Sequence, residues 1–310
     1  MNQGWTYQEQ VKKSAEGLTL LEYYASRYRH SSREDWQARI AAGQVLLNGQ
    51  PAAPDTPLHL GQQLTYCRPP WEEPAVPLAF EVLYEDTDLL LVAKPSGLPV
   101  LPGGGFLEHT LLRQVQHRYP QDTPVPIHRL GRGTSGLLLL ARSHLAKSQL
   151  SRQMRESTSQ SGPAAIRKTY RALIGPCNLP DRFTLTTPIG KVPHPVLGYV
   201  YGATPNGLPA HSEGLILRRS PSNTLLEVTI RTGRPHQIRI HLAAAGYPLL
   251  GDPLYTPGGL PRPTPANPQE KLPVPGDCGY WLHAYRLKFP HPRTEEQLDF
   301  CCPPPIELRE

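Results

Sequence analysis

Four consecutive leucines, Leu137 to Leu140, stand directly behind three glycines in the stretch IHRLGRGTSGLLLLARS, residues 127–143. A short unbroken apolar run bounded by turn residues reads as a strand buried on both faces. The glycines Gly131, Gly133 and Gly136 spell G-x-G-x-x-G, the signature of a dinucleotide loop. Such a loop must open a helix, whose N-terminus holds the pyrophosphate. A strand in that place argues against it, so a nucleotide-binding oxidoreductase is only a distant alternative. The chain also carries 37 prolines, which favours loops and turns and argues against an all-helical protein.

The remaining pattern mixes both periods. EHTLLRQVQHR (108–118), SHLAKSQLSRQMRE (143–156) and RPHQIRIHLAAAG (234–246) read as helices. FEVLYEDTDLLLVAKPSGLPVLPGGG (80–105) holds two short strands before a turn-rich loop. RKTYRALI (167–174), NTLLEVTI (223–230), YWLHAYRLKFPHP (280–292) and EQLDFCCPPP (296–305) read as strands. There is no regular βαβ alternation. The expected class is α+β, with a mixed or antiparallel sheet. Residues 253–278 are rich in proline and read as a loop.

The first part of the chain reads as a separate module. After an N-terminal extension (1–17), residues 18–68 hold a helix, REDWQARIAAG, and then QVLLNGQPA, where Asn48-Gly49 signals a hairpin. HLGQQLTY closes the module with a strand. CRPPWEEPAVP (67–77) reads as a linker, assigned to 69–78, and the larger domain is expected at 79–310. Arg33 lies among Arg27, Arg29, His30 and Arg39, which form either a solvated helix face or a patch that tracks phosphates. The net charge of +6 fits a polyanionic partner and equally an ordinary basic enzyme.

Several classes are set aside. The five cysteines form no C-x-x-C pair, so no zinc site or disulfide framework is expected. His236 and His241 are not spaced i, i+4, and no metal is expected there. The N-terminus has no apolar core, and no run approaches the ~20 residues of a membrane span. The expectation is a soluble, cytoplasmic protein that does not engage a membrane.

HRLGRGTSG followed by leucines resembles the central motif of the RluA-type family of RNA pseudouridine synthases, whose pattern is His-Arg-Leu-Asp-Arg-x-Thr-Ser-Gly. YEDTDLLLVAKPSGLPV, RKTYRAL, TGRPHQIRIHLAAAGYPLLGDPLY and LHAYRLKFPHP are similar to further family segments, in the family's order, across about residues 79–310. The N-terminal module is similar to the ribosomal S-four-type RNA-binding domain, a small α/β unit. The resemblance implies isomerisation of a flipped uridine in rRNA or tRNA, without a cofactor. It implies that Tyr170 stacks on the base and that Arg239 partners the catalytic carboxylate.

That carboxylate is missing: the family's Asp position is Gly131. Three readings stay open. The chain is an active synthase with a carboxylate from elsewhere, or an RNA binder without chemistry, or its glycines form an anion nest. Asp86, Asp88, Asp122 and Asp252 lie in matching segments, with Asp122 the least constrained substitute. His128, Arg129, Arg132, Arg234, His236 and Gln237 are candidate RNA contacts, the last three close to a helix N-terminus. Lys94 either reaches a phosphate or caps a loop. Thr134 and Ser135 are expected to brace the motif.

Overall fold

The protein is described from a computed structural model covering residues 1–158, 166–263 and 272–310. The middle of the proline-rich 253–278 segment lies outside the described residues. Two compact units emerge: Met1–Glu73 with Val196–Gly198, and Pro74–Pro195 with Tyr199–Glu310.

In the first unit, β1 (Trp5–Gln10), α1 (Leu20–Arg27), α2 (Arg33–Ala41), β2 (Val45–Leu47), β3 (Gln50–Pro51) and β4 (Gln63–Arg68) follow one another. The sheet order is β1-β4-β2-β3. Both helices begin with a capping box, Thr19 with Glu22 and Ser32 with Asp35, which satisfies N–H groups the helix itself cannot. The hairpin turns on Asn48 and Gly49, both at positive φ, as its two-residue turn requires. Residues 1–17 are more than an extension: β1 pairs with β4 along its whole length. Trp36, Ile40, Leu20, Leu58 and Leu64 fill the core beneath.

The second unit contains β5 (Glu81–Glu85), β6 (Leu89–Lys94), α3 (Leu111–Arg118), β7 (Val125–Pro126), β8 (Ser135–Ala141), α4 (His144–Thr158), β9 (Arg167–Ile174), β10 (Arg182–Leu185), β11 (Ile189–His194), β12 (Gly198–Ala203), β13 (Ser212–Arg219), β14 (Thr224–Ile230), α5 (Gln237–Ala244), β15 (Tyr255–Thr256), β16 (Leu260–Pro261), β17 (Leu282–Pro290) and β18 (Gln297–Cys301). One large sheet runs β10-β13-β14-β9-β17-β8-β6-β5, with β18 added to β17 and β7 to β8. Among the described residues its strand pairs are antiparallel except β17 with β8, which is parallel. The class is therefore α+β with a mixed sheet. The hairpins β11–β12 and β15–β16 stand apart from it.

Every residue of β8 is buried. Its four leucines each contribute about 1.5–3 kcal/mol by leaving water, which makes this strand the centre of the core. Gly136 has φ +102°, and a Cβ there would fall 2.3 Å from the Ala284 carbonyl oxygen. Only glycine lets β8 and β17 approach so closely. Gly136→Ala is expected to destabilise the protein by more than the ~1–3 kcal/mol of the backbone conformation alone, measured as a lower urea midpoint. An unchanged midpoint would contradict this packing.

Candidate active site

The parallel pairing of β8 with β17 sets the register of the site. Ser135 lies opposite His283 and Gly136 opposite Ala284, so the residues just before each strand meet: 131–134 on one side and Tyr280 on the other. On the far side of β17, Tyr170 of β9 is paired with Ala284. The turn into α5 brings Arg234 and His236. Together they enclose a cavity of about 110 Å³ whose lining includes Arg129, Gly131, Tyr170, Arg234, His236, Arg239 and Tyr280. A larger open depression of about 590 Å³ runs along residues 246–257, and of the candidate residues only Asp252 lines it. The smaller cavity gathers the motif residues and is taken as the site.

Among the described residues lining this cavity there is no Asp or Glu. The four carboxylates singled out from the sequence do not supply one. Asp122 pairs with Arg142, just beyond the far end of β8, some ~20 Å along an extended strand from the motif loop. Asp86 and Asp88 hold His291 and Arg293 at that same end. Asp122 is therefore not the substitute.

Asp252 comes closest, and it is fully engaged. Its Oδ2 accepts from Arg239 Nε at 2.7 Å. Its Oδ1 accepts from Arg239 Nη2 at 2.8 Å and from the Leu254 and Tyr255 amides at 2.9 and 3.1 Å. Arg239 thus has a bidentate carboxylate partner in the interior. Its guanidinium also lies over Tyr280, 4.2 Å from the ring centroid, and over Tyr255 at 5.0 Å.

The space left at Gly131 is filled by tyrosine. A Cβ at 131 would stand 2.7 Å from Tyr280 Oη, and one at Gly133 would meet the same ring at 3.0 Å. Thr134 Oγ1 shares a hydrogen bond with Tyr280 Oη at 3.3 Å. The glycines therefore make room for a side chain of this protein, and the anion nest is not what they form. Burial raises the Tyr280 phenol pKa, while Arg239 works against that rise. Tyr280 was not among the residues singled out from the sequence.

The other candidates divide in two. Tyr170 is buried, and burial pushes its hydroxyl up to about 12. Arg129 is exposed and Arg234 half-buried, with Arg234 Nε donating to the Pro209 carbonyl. His236 sits at φ +55° before α5. Tyr255 Oη donates to the Tyr201 carbonyl, so His236 Nδ1 must donate to Tyr255 Oη, at 2.8 Å. Burial and then neighbouring Arg239 push this imidazole down to about 3, so it is neutral at pH 7. These residues face the cavity.

The rest are occupied within the protein. Lys94 is 1% exposed and donates to the carbonyls of Pro95, Leu98 and Arg132, tying the motif loop to β6. Burial pushes it down to about 7, yet three carbonyl acceptors match the three N–H groups of an ammonium. It caps a loop and is closed to RNA phosphates. Gln237 uses its full capacity on Thr232, Arg234, His211 and Ser212, so it braces the turn instead of meeting RNA. His128 Nε2 accepts the Leu139 amide, and burial pushes it down to about 3. It too is a brace. Arg132 donates to the Gly276 carbonyl at 2.7 Å outside the cavity. Ser135 hydrogen-bonds His283. Arg33 is exposed at the start of α2 in the first unit.

The family described as RNA pseudouridylate synthase matches residues 88–244. A Synechocystis protein named an uncharacterized RNA pseudouridine synthase is 53% identical over 93% of this chain and 95% of its own. RNA pseudouridine synthase 5 of Oryza sativa is 40% identical over all of this chain and 89% of its own. Ribosomal large subunit pseudouridine synthase D of Neisseria meningitidis is 32% identical over 91% of this chain and 73% of its own. The structure of human RNA Pseudouridylate Synthase Domain Containing 1 superposes with a TM-score of 0.56 at 23% identity, covering 77% of this chain and 89% of that one, a likeness of fold. Among the described residues no helix is long and apolar enough to cross a membrane. Motif order, fold and relatives converge: the chain belongs to the RNA pseudouridine synthase family.

Proposed function

We propose that the protein isomerises uridine to pseudouridine in a structured RNA, rRNA or tRNA, within the cavity around Tyr170. The observation that carries this reading is the wall itself: Tyr170 stands with Arg129 and Arg234, and among the described residues no lining residue is acidic. A flipped base needs an aromatic surface, and its phosphates need cations. In the first unit the exposed Arg29 and Arg33 support a second RNA contact of the S-four type.

Gly131 favours a second reading, an RNA binder that performs no chemistry. One assay separates the two. RNA tritiated at uridine C5, from cells lacking this protein, loses its label to water when the base is rejoined through C5. Release by the wild type is the expected result. Tight binding with no release would support the second reading.

The stacking role has its own test. Tyr170→Ala is expected to weaken RNA binding by about 5–150-fold, the ~1–3 kcal/mol of one base–aromatic stack. Tyr170→Phe keeps the ring and the affinity. Filter binding at fixed salt measures both, and an unaffected Tyr170→Ala would remove Tyr170 from the base site.

A further inference from the structure

We propose that the Tyr280 phenol is the nucleophile of this site, standing where the family's carboxylate would stand. The proposal rests on the isomerase reading above. Tyr280 Oη lies 2.7 Å from a Cβ at position 131, about the distance of a carboxylate oxygen two bonds beyond that Cβ. Neither Gly131 nor Gly133 needs to be glycine for its backbone, because of the three motif glycines only Gly136 has positive φ. What excludes side chains at 131 and 133 is the tyrosine itself.

The surroundings suit the task. The Arg239 guanidinium, 4.2 Å from the Tyr280 ring centroid, stabilises negative charge developing on the phenol. Thr134 fixes the hydroxyl. Among the described residues the lining offers three oxygen nucleophiles, the hydroxyls of Thr134, Tyr170 and Tyr280, and Tyr280 is the one placed beside position 131 and under Arg239. Tyrosine is an established nucleophile at a glycosidic carbon in other enzymes.

The step balances without an oxidant or a second substrate. Tyr280 Oη bonds to ribose C1′ as the C1′–N1 bond breaks, and its electron pair leaves with the uracil. The phenol proton passes to that uracil at N1. The base turns, and C5 attacks C1′. The C1′–Oη bond breaks with its pair returning to the phenol oxygen. The proton lost from C5 goes to solvent, and the phenolate regains one.

The test compares wild type and Tyr280→Phe on C5-tritiated RNA, with RNA affinity and melting temperature measured alongside. Tyr280→Phe is expected to lower release by at least ~10³-fold, as removal of a nucleophile does, with affinity and melting unchanged. A folded Tyr280→Phe that releases within tenfold of wild type overturns the assignment and leaves the isomerase reading standing. A silent wild type overturns that reading and this assignment with it. If Tyr280→Phe does not fold, Gly131→Ala decides, because its methyl group displaces Tyr280 Oη. Its release should fall at least ~10²-fold, the effect of misplacing a reacting group, and unchanged release overturns the proposal.

Discussion

Asp252→Asn is expected to lower the stability of the protein by about 3–5 kcal/mol, the cost of leaving one member of a buried ion pair without its partner. Arg239 and Asp252 are 2% and 6% exposed. The substitution turns one carboxylate oxygen into an NH₂ group, which at the Oδ2 position faces Arg239 Nε and at the Oδ1 position faces Arg239 Nη2 and the Leu254 and Tyr255 amides. Either orientation sets donor against donor. Arg239→Met combined with Asp252→Leu should recover most of the loss, since an apolar pair of similar volume removes both charges. Urea unfolding of the two proteins measures the difference. A fall below 1 kcal/mol in Asp252→Asn would show that Arg239 has another carboxylate to turn to. The contrast with Tyr280→Phe is informative: one change acts on folding, the other on turnover.

Gly131→Asp, which places a carboxylate at the first motif glycine, is expected to lower turnover when made alone. Its Cβ overlaps Tyr280 Oη at 2.7 Å, so the phenol must move. Paired with Tyr280→Phe it has room: the nearest remaining atoms are Thr134 Oγ1 at 3.4 Å and Tyr280 Cζ at 4.0 Å. The new carboxylate would also find a donor, because Arg239 Nη1 makes only a long 3.4 Å contact with the Pro275 carbonyl. The double variant should therefore exceed Tyr280→Phe in C5-tritium release by ~10²-fold or more, the usual contribution of a positioned catalytic group. Equal release from the two would show that the pocket does not orient a carboxylate at 131.

The site was legible in the sequence as far as its motifs reach. Gly131 stood out as a glycine where the resembled motif has Asp, and Tyr170, Arg129, Arg234, His236 and Arg239, picked from the motifs, line one cavity. The apolar run at 137–140 gave β8 because burial on both faces needs no alternation. Polar motif residues were harder to place. Lys94, His128 and Gln237 look like phosphate ligands in a linear reading, yet each satisfies backbone or side-chain groups inside the fold. Tyr280 was missed because its importance comes from the pairing of β8 with β17, a contact between residues nearly 150 positions apart. The only local hint was a loop that had lost side chains at both 131 and 133. β11 and β12 also escaped, since IGKVPH and GYVYGA carry Gly and Pro and are partly exposed, with little alternation to read.

The most direct test of the whole account is product formation at a defined uridine. RNA from cells lacking this protein would be incubated with the wild-type chain, and pseudouridine mapped and counted per protein molecule. The expected result is conversion of one or a few specific uridines, with more than one product per protein. RNA that is bound but carries no new pseudouridine would contradict it, leaving a family member that recognises uridine and has given up its chemistry.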